Sequence, residues 1–435
     1  MTDILLVKQD WSKFGVSVPL GLLYISAYLK GKGYEVLVRD LNYHTMDDLW
    51  KPIQRGEIPI VGVSMLSSSR RSSYELIGRV KALNPNVRIA LGGNHTSSLY
   101  EILCDNLPID AVVVGEGEIT MYELTERWLN GGKVDDVWGA YVKGGRYVPR
   151  PLIEDLDSLP FPDYEQIDFS QYVPHIVRTR PDYVHNGIRL RDTAYTNVIT
   201  SRGCIGRCLF CDIYKHWGSK PRFRSARNVV DEIVMLNQDY GVNFIEFNDD
   251  SFALNQKIAK EICQKIIDEG LKIVWVTAIR ADCCRDSELL ELMRDSGCLW
   301  LAVGVESGSD KILKNIGKGT TRELNREAIE NIKKAGIKAY ALLMCGNIGE
   351  NDETINETKE FLLATNPDIH SEAGATYCYP GTRYSELMRI DTDFWIDGED
   401  GLPIFHEGFT KEDLTRWGSI LASIPSWAHP PQSCC

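Results

Sequence analysis

The chain has 435 residues, of which 43% are hydrophobic and 25% are charged, which is typical of globular domains and enough for two or three of them. Its net charge of −13 argues against broad binding to nucleic acids or anionic membranes, because no excess of positive charge is available to neutralise phosphates. No apolar run approaches the roughly 18 residues of a membrane span, and the N-terminus lacks a signal-peptide pattern, so we expect a cytoplasmic protein.

Residues 1–134 alternate short apolar runs with segments of helical periodicity. This alternation predicts an α/β domain of Rossmann-like type, with a doubly wound parallel sheet covered on both faces. Ligands of such sheets bind beyond the carboxyl ends of the strands, where this chain carries residues 64–65, 92–95 and 115–118. The five predicted strands lie at residues 4–7, 36–38, 60–63, 89–91 and 111–114.

Residues 135–196 lack this alternation and predict a hairpin followed by a proline-punctuated linker. From 197 to 390 the alternation resumes in six strand–helix units, which predict a partial (β/α)6 barrel. Residues 391–435 are rich in proline, tryptophan and polar residues and predict a small C-terminal cap. The six predicted barrel strands lie at residues 198–201, 243–248, 273–277, 299–305, 339–344 and 373–377.

A C-x3-C-x2-C motif, formed by Cys204, Cys208 and Cys211, directly follows the first predicted barrel strand. Twelve cysteines in a cytosolic chain of this length indicate metal or redox chemistry rather than disulfides. Three thiolates in one loop can each bind one iron of a cubane cluster and leave the fourth iron open. A structural zinc loop is the alternative, but zinc sites usually combine two such pairs and the sequence shows no second pair.

The cysteine loop, with Phe210 before its last cysteine, resembles the cluster loop of the radical S-adenosylmethionine (SAM) superfamily. The likeness extends to the cobalamin-associated branch of that superfamily, which includes the anaerobic protoporphyrin ester cyclase. The resembling segments are 19–22, 91–95 and 115–118 in the first domain and 244–252, 304–309, 318–321, 344–350 and 379–382 in the barrel.

The resemblance implies a [4Fe-4S] cluster whose open iron binds SAM. An electron from an external donor, such as flavodoxin or ferredoxin, then cleaves SAM to a 5′-deoxyadenosyl radical, which removes a hydrogen atom from a small-molecule substrate. The protein positions these groups and excludes water, whereas the chemistry belongs to the cofactors.

The resemblance also implies contacts between SAM and residues at the barrel strand ends. We expect Asn248 with Asp249 or Asp250 to receive the methionyl ammonium, although such residues often cap helices instead. We expect Arg280 to hold the carboxylate and Glu306 to bind the ribose, with ion pairs as the alternatives. We expect Phe210 and Ile348 to pack against the adenine, with packing in the protein core as the alternative. We expect Tyr214 to donate a proton to the substrate, with core or surface packing as the alternative.

The resemblance assigns cobalamin to the first domain. The D-x-H-x-x-G signature of the common cobalamin fold is missing, because neither His44 nor His95 has an aspartate two residues earlier, so we expect His95 to make a polar contact rather than to bind cobalt. The alternative is that the domain keeps the fold and binds no cofactor. The residues expected around the corrin are Gly92, Gly93, His95, Gly115, Glu116 and Gly117.

Four functions follow as hypotheses. The first is cobalamin-dependent methylation of a carbon atom in a small molecule. The second is a radical dehydratase, cyclase or rearrangement enzyme without cobalamin. An iron–sulfur or corrinoid carrier is disfavoured by the full set of barrel motifs, and a tRNA-modifying enzyme is disfavoured by the acidic charge. The sequence leaves open the roles of Cys283, Cys284, Cys434 and Cys435.

Overall fold

The computed structural model describes residues 2–9, 17–371, 373–398, 402–406 and 408–427. Within these ranges, no helix has both the length and the apolar character needed to cross a membrane. Cys434 and Cys435 lie outside the described residues.

The first domain is built on a six-stranded sheet that alternates with helices. Its strands are β1 (Ile4–Lys8), β2 (Val36–Asp40), β3 (Ile60–Ser64), β4 (Arg88–Gly92), β5 (Ala111–Val113) and β6 (Ala140–Tyr141). Its helices are α1 (Leu20–Lys30), α2 (Trp50–Arg55), α3 (Arg70–Leu83), α4 (Asn94–Asn106) and α5 (Glu118–Leu129). The order across the sheet is β2-β1-β3-β4-β5-β6, and only β6 is antiparallel to its neighbour. The order therefore reverses between β1 and β3, where sheets of this type bind ligands.

Apolar side chains alternate between the two faces of this sheet, as the predicted doubly wound fold requires. On β1, Ile4 and Leu6 enter one buried cluster, whereas Leu5 and Val7 enter another on the opposite face. The first cluster continues through α1 into the barrel, where Tyr195 belongs to it. The two domains therefore share one hydrophobic core.

Strand β6, within the predicted connector at 135–196, belongs to the sheet of the first domain. The chain between β6 and β9 connects the domains and binds to both of them. The Tyr172 hydroxyl donates to the Asp40 carboxylate of the first domain at 3.0 Å. The Tyr164 hydroxyl donates to the buried Glu232 carboxylate of the barrel at 2.6 Å. The short elements of this connector are α6 (His175–Thr179), β7 (Val184–His185) and β8 (Ile188–Arg189).

The second domain is the expected partial barrel of parallel strands. Its strands are β9 (Tyr195–Val198), β12 (Phe244–Phe252), β13 (Val274–Ile279), β14 (Cys298–Glu306), β15 (Lys338–Cys345), β16 (Ile369–His370) and β17 (Gly374–Ala375). The helices outside them are α8 (Ala226–Tyr240), α9 (Gln256–Asp268), α10 (Ser287–Asp295), α11 (Asp310–Asn315), α12 (Arg322–Lys334) and α13 (Asp352–Thr365). The strand order is β9-β12-β13-β14-β15-β16, and β17 pairs with the end of β15. The α/β architecture predicted from the sequence is confirmed.

Two barrel strands differ from their predicted positions. The first strand is β9, which begins three residues before the predicted run at 198–201 and ends at its first residue. Its polar Asn197 is buried because its amide oxygen accepts the Val18 N–H at 3.1 Å, a contact that hydropathy does not reveal. The predicted strand at 373–377 is reduced to the two residues of β17, which pair with the end of β15. Strand β16, which pairs with Tyr340 and Ala341 of β15, precedes the predicted run and was not expected.

The described part of residues 391–435 covers both domains. Helices α14 (Arg383–Leu387) and α15 (Thr392–Ile396) precede α16 (Lys411–Ala422). The buried Trp395 of α15 packs against Arg70 and His95 of the first domain. In α16, the Trp417 ring N–H donates to Asp352 of the barrel at 2.6 Å.

Candidate active site

The cysteine loop lies between β10 (Ser201–Arg202) and β11 (Arg222–Phe223), beyond the carboxyl end of β9. The N–H of Gly206 donates to the Cys204 sulfur at 3.3 Å. A Cβ atom added to Gly206 would lie 3.4 Å from the Cys204 sulfur and 3.7 Å from the Cys208 sulfur, so both thiols flank one backbone turn. Burial raises the pKa of Cys208, and it raises that of Cys211 to about 12, so metal binding must displace protons.

The donor set of this loop fits an iron–sulfur cluster. Three thiols with a backbone N–H directed at one sulfur match the ligands and hydrogen bonds of such clusters. In the described part of the chain, no three His, Cys, Asp or Glu side chains lie close enough together for a single metal ion. A cubane has a different requirement, because each thiolate binds a separate iron. Cys283 and Cys284 are buried in the turn after β13.

Arg280 follows β13 and lies beside the cysteine loop. Its Nε and Nη2 donate to the Asp282 carboxylate at 3.0–3.3 Å. Its Nη1 lies 3.4 Å from the Cβ position of Gly206. Asp282 thus fixes one edge of the Arg280 guanidinium, and the other edge faces the cysteine loop. The contact between Arg280 and the SAM carboxylate stays a prediction.

Glu306 forms a buried ion pair with Lys318, whose Nζ lies 2.6 Å from its Oε1. The Lys318 Nζ also lies 6.0 Å from the centre of the Phe210 ring. Glu306 has a φ of +59°, which is unfavourable for a residue with a side chain, and Gly304 leaves the space that the pair occupies. The internal ion pair that the sequence left open as the alternative for Glu306 is therefore present. Lys318 was not identified as its partner from the sequence. The contact between Glu306 and the ribose stays a prediction.

The three polar residues of β12 divide into two groups. Asp249 accepts the backbone N–H groups of residues 200 and 201 at 2.7 and 2.8 Å, and Asp250 accepts the Gly203 N–H at 2.9 Å. Burial raises the pKa of Asp250 to about 6. The exposed Asn248 side chain has no hydrogen-bond partner among the residues that the structure describes. Asp249 and Asp250 therefore hold the backbone that enters the cysteine loop, whereas Asn248 is available to a ligand.

Replacing Asn248 with alanine should weaken SAM binding about 10- to 100-fold, since a hydrogen bond to a charged group contributes about 1.5–3 kcal/mol. The Tm should stay unchanged because the amide holds no other part of the fold. Anaerobic calorimetry on reconstituted protein measures the affinity. Asp249→Ala is the comparison variant and should lower the Tm, since it leaves buried N–H groups unpaired. A lower Tm with unchanged SAM affinity in Asn248→Ala would contradict this assignment.

Phe210 and Ile348 pack against one apolar cluster with Tyr384, so the core packing that was the alternative to adenine binding is present. Ile348 lies in the turn after β15, which Glu350 holds by accepting the Asn347 N–H at 2.8 Å. Burial raises the pKa of Glu350 to about 7, and its second carboxylate oxygen has no partner in the described part of the chain. The adenine contact itself stays a prediction.

Glu350 should make the protein less stable as the pH rises from about 5 to about 8. The carboxyl ionises near 4.5 in the unfolded chain but stays protonated to about 7 in the fold. Raising the pH through this window therefore favours unfolding, by about 3 kcal/mol in total. Glu350→Gln keeps an acceptor for the turn and cannot ionise, so its unfolding midpoint in urea should fall less between the two pH values. An equal fall in both proteins would assign the effect to other carboxyls.

Tyr214 lies in α7 (Ile213–Trp217), directly after the cysteine loop. It is partly buried and makes no hydrogen bond to another described residue. The neighbouring His216 is buried, and its Nε2 lies 2.9 Å from the Asp212 carboxylate. Proton donation by Tyr214 therefore stays a prediction.

A cavity of about 240 Å³ lies at the carboxyl edge of the N-terminal sheet, and we call it the sheet-edge cavity. Its walls come from the ends of β3 and β4, and its barrel side consists of Arg202, His216 and Trp217. The expected cobalamin-binding residues that line it are Gly92, Gly93, Gly115, Glu116 and Gly117. Five of the six expected residues thus meet at one cavity.

The glycines of the sheet-edge cavity fit a cofactor that approaches the backbone closely. Gly93 has a φ of +109°, and a Cβ atom there would lie 2.5 Å from the Met65 carbonyl oxygen, so this turn requires glycine. At Gly92, a Cβ atom would meet only the Val113 Cβ within 4 Å, at 3.9 Å, which leaves the strand end open. The backbone at Gly92 is therefore accessible from the cavity, as a cofactor that approaches it closely requires.

His95 lies outside the sheet-edge cavity and borders a second cavity of about 200 Å³ with Asp212 and Tyr379. Its Nδ1 lies 2.8 Å from the Ser67 hydroxyl, and its Nε2 has no partner within the described residues. Burial lowers the pKa of His95 to about 3 and keeps the ring neutral. Its contact with cobalamin stays a prediction.

Glu116 contacts the barrel through two arginines that the sequence did not single out. Its carboxylate accepts Arg202 Nη1 at 2.7 Å and Arg222 Nη1 at 2.9 Å. Glu118 accepts Arg202 Nη2 at 2.6 Å. The position of Arg202 directly before the cysteine loop was the available signal, but its partners lie 84 and 86 residues away along the chain.

Comparison with known proteins supports both halves of this arrangement. Residues 198–362 match the family model of the radical SAM superfamily, and residues 14–125 match that of the B12 binding domain. The uncharacterized methyltransferase PH0819 of Pyrococcus horikoshii is 33% identical over 85% of this chain and 78% of its own length. The anaerobic magnesium-protoporphyrin IX monomethyl ester cyclase of Rubrivivax gelatinosus is 31% identical over 84% of this chain and 66% of its own.

A solved structure shares the whole architecture. The cobalamin-dependent SAM radical enzyme OxsB, solved with aqua-cobalamin and SAM bound, superposes with a TM-score of 0.75. The match covers 97% of this chain and 66% of OxsB at 19% identity, so it shows the fold. This chain belongs to the radical SAM superfamily, in the branch of enzymes that join a B12-binding domain to a radical SAM barrel.

Proposed function

We propose that the chain is a cobalamin-dependent radical SAM methylase that acts on a carbon atom of a small molecule. The observation that carries this proposal is the contact between the two sites. Arg202 lies two residues before Cys204, and His216 and Trp217 follow Cys211 closely, yet all three line the sheet-edge cavity of the other domain. A corrinoid in that cavity would therefore lie against the segments that flank the cluster.

The side chains of the barrel suit the binding of SAM. When bound, the cluster supplies the electron that cleaves SAM, and cobalamin supplies a methyl carrier. Asn248 offers an amide to the methionyl group, and Arg280 offers a cation that Asp282 holds in place. Phe210 and Ile348 offer an apolar surface to the adenine.

The relatives support methylation and also define the second candidate. The Pyrococcus horikoshii protein is described as a methyltransferase, whereas the Rubrivivax gelatinosus protein is a cyclase. A non-methylating dehydratase, cyclase or rearrangement enzyme without bound cobalamin is therefore the alternative. The open strand end at Gly92 favours the methylase, because no contact within the described fold requires glycine at this position.

Product analysis under reducing, anaerobic conditions distinguishes the two candidates. The purified protein is reconstituted, its iron, sulfide and corrin are quantified, and it is incubated with dithionite and SAM. The methylase should bind corrin stoichiometrically and release both S-adenosylhomocysteine and 5′-deoxyadenosine. 5′-Deoxyadenosine alone, from a protein that binds no corrin, would support the alternative. The flavodoxin or ferredoxin donor, the exclusion of nucleic acid substrates and the cytoplasmic location stay predictions.

A further inference from the structure

We propose that four buried charged residues couple cobalamin binding to assembly of the cluster loop. This interdomain clamp consists of Glu116 and Glu118 in the first domain and Arg202 and Arg222 in the barrel. The inference rests on the proposed function, because it takes a corrinoid as the occupant of the sheet-edge cavity. In this view, Arg202 and Glu116 are positioning residues that transmit the occupancy of one site to the geometry of the other.

The clamp is fully buried and closely bonded. Each of its four side chains is at most 6% exposed. The Arg202 guanidinium bridges two carboxylates, at 2.7 Å to Glu116 and 2.6 Å to Glu118. The Arg222 Nη1 binds Glu116 at 2.9 and 3.1 Å and the Ile153 carbonyl at 2.6 Å. The Ile153 N–H in turn donates to Glu116 at 2.7 Å, so the connector is held as well.

Aromatic rings from both domains lie next to the Arg202 guanidinium. The Tyr24 ring of α1 and the Trp217 ring of α7 each lie 5.4 Å from the guanidinium carbon, within the range of a cation–π contact. Trp217 also lines the sheet-edge cavity, together with Arg202, Glu116 and Glu118. A ligand in this cavity therefore contacts three of the four charged residues of the clamp and one ring that holds it.

The positions of these residues along the chain connect the cavity wall to the cysteine loop. Arg202 is separated from Cys204 by Gly203 alone, and the Gly203 N–H is already bound to Asp250. Glu116 lies between Gly115 and Gly117, in the turn that forms the cavity wall. A shift of this turn on ligand binding is thus passed through one guanidinium to the first cluster ligand.

Stability alone does not account for such a clamp. Burying two carboxylates and two guanidinium groups carries a desolvation cost that apolar residues would avoid, and buried ion pairs contribute fixed geometry more than net stability. The two domains already share a hydrophobic core. Coupling between two sites is reciprocal, so the cluster should strengthen corrinoid binding by the same factor by which the corrinoid stabilises the cluster.

The test measures hydroxocobalamin affinity twice, on cluster-free protein and on anaerobically reconstituted protein. We expect reconstitution to tighten binding about 10-fold, within the usual range of allosteric coupling. The reciprocal measurement is the amount of iron that the protein retains at equilibrium against a competing chelator, and bound hydroxocobalamin should raise the affinity for iron by a similar factor. Neither measurement depends on turnover or on knowing the substrate.

Two variants locate this coupling in the clamp. Arg202→Lys keeps the charge but cannot bridge two carboxylates, so the two affinities should become equal. The matched control is Glu123→Gln, which breaks the 2.7 Å ion pair with Arg150 elsewhere on α5 and should keep the full difference. The spectrum of the reconstituted cluster shows that Arg202→Lys is folded.

The outcomes separate this inference from the function on which it rests. If wild-type protein binds hydroxocobalamin equally well with and without the cluster, the coupling is refuted and the proposed function stands. If it binds no corrinoid in either form, the proposed function fails as well. If Arg202→Lys keeps the wild-type difference between the two hydroxocobalamin affinities, the interdomain clamp does not carry the coupling. If this variant fails to fold, Arg222→Lys replaces it, because Arg222 does not line the cavity, and the two affinities should again become equal.

Discussion

Replacement of Cys208 with alanine is expected to abolish the iron–sulfur cluster and, with it, the reductive cleavage of SAM. Cys208 is the middle ligand of the loop and is buried. Its sulfur and that of Cys204 lie 3.7 and 3.4 Å from the same Cβ position of Gly206. With two thiolates remaining, the loop retains too few ligands for a cubane with one open iron. Iron and sulfide content and the visible absorbance of anaerobically reconstituted protein measure the loss, and 5′-deoxyadenosine should fall to the level without enzyme.

A second buried cysteine provides the matched control for this experiment. Cys104 lies in α4 of the first domain, is 1% exposed, and is remote in sequence from the cysteine loop. Cys104→Ala removes one buried thiol and should leave iron, sulfide and 5′-deoxyadenosine formation unchanged. A Cys208→Ala protein that keeps a full cluster would refute the ligand assignment, and so would an equal loss of cluster in both variants.

The architecture could be predicted because its signals are local. Buried parallel strands are continuous apolar runs, as in β1 and β3, and the helices between them keep their own period. Strand β9 breaks this rule, because Thr196 and Asn197 are polar and yet buried through contacts made by distant residues. The prediction from hydropathy therefore placed the first barrel strand too close to the cysteine loop.

The candidate site could be predicted only in part, for the same reason. The cysteine spacing and the glycine turns are local patterns, and residues that flank the cysteine loop line the same cavity as the glycines. The partners of the charged residues are not local. Asp249 binds the chain 48 and 49 residues earlier, and Glu306 takes Lys318 as its ion-pair partner. A sequence shows that such charges exist, but only the fold decides which of them neutralise one another.

Backbone support is a role that the motifs conceal. Asp249, Asp250 and Glu350 each accept backbone N–H groups near the end of a barrel strand. Burial raises the pKa of all three carboxyls. These acidic residues thus hold loop backbone in place, whereas the exposed Asn248 side chain makes no hydrogen bond within the described part of the chain.

Replacement of Gly92 with leucine should reduce corrinoid affinity about 10- to 100-fold while the protein stays folded, because overpacking of a filled site costs about 1–3 kcal/mol. Gly92 ends β4 and lines the sheet-edge cavity. A Cβ atom at this position meets only the Val113 Cβ, at the ordinary contact distance of 3.9 Å. The rest of the leucine side chain has to enter the cavity, where it occupies the space proposed for the cofactor. Titration with hydroxocobalamin, followed by its visible spectrum, measures the affinity.

The same substitution at an open position separates this effect from a general response to leucine. Gly78 lies on the exposed side of α3, where an added Cβ atom meets nothing within 4 Å, so Gly78→Leu should bind hydroxocobalamin as the wild type does. Both variants should keep the iron content of the wild-type protein, and neither should lower its Tm, because neither side chain displaces a buried group and leucine favours the α3 helix more than glycine does. Unchanged affinity in Gly92→Leu would mean that the corrinoid binds elsewhere, and the sheet-edge cavity would then lose its proposed occupant even if the cluster and SAM cleavage remained intact.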